Sequence, residues 1–390
     1  QNTSTPWNWI SMIYLRLLYT IASLMILAFP AQVGAVEFVT VGPRAMGMGG
    51  AGVAVTTDAL ATYWNPAGLA MTQTVDIRIL GGVQVIDRLG IADAVHDLEK
   101  FNPNDPNTAA NLAKAQSIAA RINKPGATIS LNGSAGLYIK GHLGEHAFGL
   151  NVSDVATGGG FVSTPITATQ NGAAVNLAGA MALRGLEARQ LAFSYAYAFS
   201  DKTFSIGVTG KIIQGASYNG STALTGGTDV SVTDNFGKST LSTAFGIDVG
   251  AIYRPSSWLR FAVVAKDINQ PTFNAAGGGE LKLEPQIRGG MAINPYSSLT
   301  LTADVDAMAN KTFVPGVKSQ VLSLGAEQTI LSEFLSFRVG GFKNMKDANT
   351  PFTPTAGLGL RVYALRVDVG GGYDFREKGA LVSGSLSLTF

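Results

Sequence analysis

The chain has 390 residues, a formal net charge of +2, only 14% charged residues, 47 glycines and no cysteine. Without cysteine it has no disulfide framework, no thiolate metal centre and no Cys nucleophile. The near-balanced charge and the lack of a basic run argue against a nucleic-acid partner, and the charged fraction falls well below the ~25% of soluble domains. Residues 1–35 read as a signal peptide: Arg16 gives a positive start, Leu17 to Phe29 an apolar core, and Val33-Gly34-Ala35 small residues before a cut after Ala35. The apolar core is shorter than the ~20 residues that cross a bilayer as a helix. Residues 36–70 (VEFVTVGPRAMGMGGAGVAVTTDALATYWNPAGLA) are rich in glycine, alanine and turn residues. They are compact enough to fold back as a plug.

From 71 to 390 the sequence predicts a transmembrane antiparallel β-barrel. Fourteen candidate strands lie near 74–85, 128–140, 146–153, 189–199, 203–213, 243–253, 258–267, 285–294, 299–307, 320–328, 335–342, 354–362, 365–375 and 380–390. Apolar and polar residues alternate along them, as a strand between lipid and lumen requires. Val382, Gly384, Leu386, Leu388 and Phe390 oppose Ser383, Ser385, Ser387 and Thr389; Leu299, Leu301, Ala303 and Val305 oppose Thr300, Thr302, Asp304 and Asp306. A soluble β-sandwich shows the same alternation, but does not need so many strands of this length. The connections give a second test. Long ones near 86–127, 154–188, 214–242, 268–284, 308–319 and 343–353 alternate with short turns, and only 376–379 breaks the pattern. Long outer loops and short periplasmic turns are the barrel topology. The first long loop predicts a helix from Thr108 to Ile122, bounded by Pro106 and Pro125. It reads either as a loop excursion over the mouth or as a lid over a binding site.

On the period-2 assignment Asp76, Arg78, Asp248, Arg288, Asp304, Asp306, Arg338, Arg361, Arg366 and Asp368 point inward. They either pair with the plug and one another or line a polar path. Asp304, Asp306, Arg338, Arg366 and Asp368 are the lumen-lining candidates. Because Asp304, Asp306, Arg366 and Asp368 lie on nonadjacent strands, the plug is expected to mediate their coupling. Tyr253, Trp258, Tyr296, Phe334, Tyr363 and Phe390 fall near strand ends, as an interfacial girdle does. His142, Glu145 and His146 share a predicted turn, which is a weak metal pattern; neither a metal site nor a cofactor is expected. No nucleophile–base pair stands out, so the reading is not enzymatic.

Gly47 to Gly52 (GMGGAG) matches G-x-G-x-x-G, but no strand–turn–helix unit surrounds it, so a dinucleotide site is not expected. Trp64-Asn65-Pro66-Ala67-Gly68-Leu69 has a rigid Pro66 and a permissive Gly68, a turn into the first strand. With RAMGMGGAGVAV and ATYWNPAGLA, the stretch from Gly42 to Ala70 resembles the N-terminal hatch of the FadL/TodX fatty-acid and hydrocarbon transporter superfamily. It is still more similar to the barrel family catalogued as conjugal transfer protein TraF, and PorV-type barrels begin similarly. Phe245 to Phe273, Glu284 to Asp306 and Ser323 to Phe342 extend the resemblance over most of the chain. A terminal Phe also resembles the signal read by the barrel assembly machinery.

The resemblance implies a barrel in the outer membrane of a Gram-negative bacterium, with lipid and the assembly machinery as partners. It implies passive uptake of a hydrophobic small molecule past the hatch, for which Asp58, Trp64, Asn65, Pro66 and Ala67 are the hatch and ligand candidates. Glycine-rich wall segments, Gly289-Gly290 and Gly370-Gly371-Gly372, suggest a place for sideways exit. The alternative is a structural barrel gripping partners in a conjugation or secretion apparatus.

Overall fold

A computed structural model describes residues 37–106, 108–199, 201–225, 239–347, 351–376 and 378–390. The predicted signal peptide lies outside the described residues. Fourteen strands close into one antiparallel barrel. In chain order its first members are β1 (Asp76–Arg88), β2 (Thr128–Leu143), β3 (His146–Asn171), β4 (Ala174–Phe199), β5 (Phe204–Thr225), β6 (Ser239–Ser256) and β7 (Leu259–Lys266). A small hairpin, β8 (Thr272–Asn274) and β9 (Glu280–Lys282), follows. The wall resumes with β10 (Gln286–Tyr296) and β11 (Leu299–Asp306), and a second small hairpin comes next, β12 (Asn310–Lys311) and β13 (Lys318–Ser319). The last wall strands are β14 (Val321–Ile330), β15 (Leu335–Asn344), β16 (Thr353–Val362), β17 (Leu365–Asp374) and β18 (Gly379–Thr389). β18 pairs with β1 from Asp76↔Thr389 to Val85↔Ala380, which leaves the wall without an open edge.

Alternation sorts the two faces. Along β18, Val382, Leu386 and Leu388 are 59%, 50% and 41% exposed, whereas Ser383 and Ser387 are 2% and 1% exposed. The apolar face looks outward, where lipid replaces water as its solvent, and the serines look into a filled interior. No helix among the described residues is long and apolar enough to cross a membrane; the crossing elements are the strands.

The wall is uneven in height. β3 and β4 each have 26 residues and β5 has 22, while β14 to β17 have 10 each. A membrane strand needs about 9–11 residues, and 26 residues span about 85 Å. The tall strands therefore continue far beyond the bilayer. This corrects the expected outer loops at 154–188 and 214–242: the first is a hairpin turning at Gly172-Ala173, and much of the second is strand. The extended stretch is rich in Val, Thr and Ile, which favour a pleated backbone, and Asn171-Gly172 is a hairpin signal. Beyond Phe161, β3 has no β2 partner. Asn123 covers that edge, donating to the Ile166 carbonyl (2.7 Å) and accepting from the Ile166 N–H (2.8 Å). Asn123 follows the helix Thr108–Ile122, which forms with the predicted boundaries. That helix and a second one, Ile91–Glu99, bury Leu98, Ile118 and Ile122 with Ile166, Val175 and Leu177 of the tall hairpin.

Candidate functional site

Residues 38–71 are almost wholly buried and touch the inner face all around the ring. Two kinds of contact put them there. The first is steric. Gly49 has φ +69°, and a Cβ on it would lie 2.3 Å from the Gly341 carbonyl oxygen. A Cβ on Gly370 would lie 2.2 Å from the Pro43 oxygen. The wall glycines thus give room to the N-terminal segment. Gly370-Gly371-Gly372 is paired with both neighbouring strands, and the segment packs against it at Gly370.

The second is polar. Asp304 accepts from the Gly52 and Val53 N–H groups at 2.7 and 2.8 Å. Lys140 of β2 donates to the Thr57 and Thr72 carbonyls at 2.7 and 2.9 Å, holding both limbs of the loop between them. Arg44 forks onto Glu327 (2.6 Å), and Glu327 also receives Arg338 at 2.6 Å. Arg338 lies 2.7 Å from Asp368, which also pairs with Arg366 (3.0 Å) and lies 3.6 Å from Arg78. Arg78 closes the circuit on Asp58 of the segment (3.0 Å). Burial works against the Asp58 carboxylate, but Arg78 and Arg44 outweigh it and hold its pKa below the usual value. Glu37 has only an Asn132 hydrogen bond to offset burial, so its carboxyl is pushed up.

The lumenal charges therefore couple in two ways. Asp304 acts through the segment. Arg338 and Asp368 meet directly although β16 lies between their strands. They can do so because β16 presents Gly359 there: a Cβ would lie 2.4 Å from Asp368 Oδ1 and 2.8 Å from Arg338 Nη2. Asp306 pairs with Arg288 (2.6 Å), away from that circuit. Arg361 also stands apart, with Glu333 at a turn. Glu327 and Arg44 were missed. Glu327 shares the inward register of Ser323 on β14, which is the signal that could have found it, as Lys140 shares that of Asn132 and Ser134 on β2; Arg44 carries no comparable mark.

The Trp64-Asn65-Pro66-Ala67 motif is tied down at every residue but Pro66. Trp64 Nε1 donates to the Val41 carbonyl (2.8 Å), and Asn65 Oδ1 accepts from the Ala67 N–H (3.1 Å), capping the 3-10 turn Pro66–Met71. Ser205 of β5 donates to the Ala67 carbonyl (2.8 Å). Phe38 and Tyr63 receive buried cations: Lys266 Nζ lies 3.3 Å from the Tyr63 ring centre, and the Arg288 guanidinium 4.1 Å from that of Phe38.

Above this layer a cleft of about 50 Å³ remains, bounded by Glu37, Tyr63 and Lys266 on one side and by Val155, Leu186, Ile213 and Leu283 on the other. It holds a water or two at most, whereas ligand sites usually measure about 300–1,000 Å³. Its apolar side continues outward: Leu186, Ala188 and Ile213 are covered by Phe273 and Leu283 of the β7–β10 connection. A larger hollow of about 450 Å³, lined by Leu150, Leu191, Phe193 and Phe245, is on the outward face of the wall and is no part of this site. Among the described residues no group of three or more His, Asp or Glu side chains could hold a metal. His146 instead meets Tyr195 Oη at 2.7 Å within a belt of Phe148, Tyr197 and Phe199.

A family model described as "F plasmid transfer operon, TraF, protein" matches residues 62–306. No curated protein matches. Among solved structures, the toluene transporter TbuX of Ralstonia pickettii aligns at 15% identity and TM-score 0.53, over 90% of this chain and 98% of that one. The P. putida toluene transporter TodX aligns at 12% identity and TM-score 0.51, over 90% and 99%. At these identities the likeness is one of fold.

Proposed function

The chain belongs to the family of the F plasmid transfer operon TraF protein, and on that premise we propose that it is an outer-membrane barrel for passive uptake of hydrophobic small molecules, fatty-acid or hydrocarbon in type. The observation that carries this reading is the apolar inner wall of Leu186, Ala188 and Ile213 under the cover of Phe273 and Leu283. A barrel that passed only polar solutes would not need such a face over its entrance. The N-terminal segment acts as the plug below it. A ligand enters under the cover, widens the cleft and reaches the wall when the segment yields. Asp58 is the residue best placed to release, because its ion pair to Arg78 is the exit from the charge circuit. The solved toluene transporters of the same fold support the substrate class. Signal-peptide removal after Ala35 precedes assembly, and N-terminal sequencing of the membrane-bound protein checks the site.

The test is mass spectrometry of small molecules extracted from the gently purified barrel, against an unrelated barrel. A stoichiometric, enriched hydrophobic compound is expected; an empty barrel that also fails to take up added toluene or oleate in liposomes sinks the proposal. The family description favours a second reading, a structural barrel of a conjugation or secretion apparatus. Crosslinking in cells would then capture a discrete transfer protein, and the barrel would carry no compound.

A further inference from the structure

We propose that the outer rim over β13 to β15 is a docking site for a phosphorylated lipid of the outer leaflet, a surface separate from the lumen. The proposal rests on the outer-membrane reading. Three lysines lie along this rim. The side chain of Asn344 ties the backbone of two of them together: its Nδ2 donates to the Lys318 carbonyl at 2.9 Å, and its Oδ1 accepts from the Lys346 N–H at 3.1 Å and the Gln320 N–H at 2.9 Å. Lys343, next in sequence, shares the outward register of Phe337 and Val339 on β15. Lys318 sits directly opposite Lys311 across the β12–β13 hairpin, and like charges in that position destabilise a hairpin unless something neutralises them. Lys311 has Glu284 at 2.6 Å. Among the described residues Lys318, Lys343 and Lys346 have no carboxylate partner, and the nearby Asp347 is engaged by Arg88. Unneutralised cations are thus gathered on a rim.

What lies below the lysines identifies the anion. Phe337 and Val339 are exposed on the outward face, and the Phe352 ring covers Gly341 between them and Lys343, so closely that a Cβ there would come within 2.1 Å of it. The column is apolar through the bilayer and cationic at its outer end. An amphiphile with acyl chains along Phe337, Val339 and Phe352 and phosphate among the lysines matches both parts. A soluble phosphate matches only the lysines.

The experiment uses the purified barrel, with diphosphoryl lipid A and its dephosphorylated form as probes and native mass spectrometry as the readout. The barrel is expected to retain the diphosphoryl form preferentially. The combined variant Lys318→Gln, Lys343→Gln, Lys346→Gln should weaken that binding roughly 100-fold, from three interfacial charges. The corresponding Lys→Arg variant should bind within a few-fold of the parent, and far-ultraviolet circular dichroism should show both variants folded. Equal retention of the two lipid forms, unchanged affinity of the Gln variant, or competition by inorganic phosphate as effective as by the lipid would each overturn the proposal. Cell fractionation tests the outer-membrane reading separately, so its failure is distinguishable from loss of the lipid site.

Discussion

The two sides of the barrel do different work. Strands β14 to β18 are short, end at the bilayer, and face inward with Glu327, Arg338, Arg366 and Asp368. Strands β3 to β5 rise well past the bilayer, and their upper inner wall is Leu186, Ala188 and Ile213. The short side holds the N-terminal segment through ion pairs and glycine contacts; the tall side offers apolar surface and carries the helices and hairpin that close over it. One ring can thus hold a polar fastening and an apolar upper wall, because each is confined to one arc.

The comparison breaks most decisively if the segment does not occlude. Deleting 37–71 is expected to turn a barrel of low conductance into one that passes small polar solutes, read as single-channel conductance in planar bilayers; an unchanged value would move the barrier to the outer loops. Next comes Arg338→Ala. It takes their shared cation from buried Glu327 and Asp368; since Arg44 stays on Glu327 and Arg366 on Asp368, the cost falls below the about 3–5 kcal/mol of a fully stranded buried charge. Urea should unfold this variant at a clearly lower concentration, and its channel should flicker open. Ligand retention should suffer less than stability, since the apolar wall is untouched.

Leu186→Ala is the converse test. Removing the side-chain carbons weakens a hydrophobic contact by about 2 kcal/mol. Retention of a hydrophobic compound should fall while closed-state conductance stays at the parent level; a rise in conductance would show that the two sides are not separable. The smallest effect is expected from Lys378→Ala. Its partner Asp93 is an exposed residue of an outer helix, and solvated pairs of this kind contribute little. Heat-modifiable mobility on gels should not change, and a large change would mean that the outer helices help to close the barrel.

Much of the wall could be read directly. In β11 and β14 to β18 the predicted and observed ends agree within two residues, because a strand between lipid and lumen must alternate and must stop near the bilayer surface. The same reasoning failed for β3 and β4. Once a strand leaves the bilayer, no lipid face enforces alternation, and the Val/Thr-rich stretch 155–171 was indistinguishable from a loop without its partner strand. The helix Thr108–Ile122 was legible from its bounding prolines, but its task was not: the edge it shields exists only because β2 starts where β3 is still running. At the site, period-2 reasoning placed Asp304, Arg338 and Asp368 on the inward face but could not say which of them would meet.

Sequence alone therefore determined the class of the fold, the side each wall residue faces, and the distinct character of residues 36–70. These depend on local periodicity and composition, which any stretch of chain carries by itself. Tertiary structure decided the rest. Arg338 reaches Asp368 across a strand because Gly359 leaves the space, and Gly49 fits because Gly340 faces it without a side chain. Arg44 finds Glu327, which is 283 positions away in the chain. Such pairings depend on how the ring closes and how the segment enters it, and no local pattern encodes either.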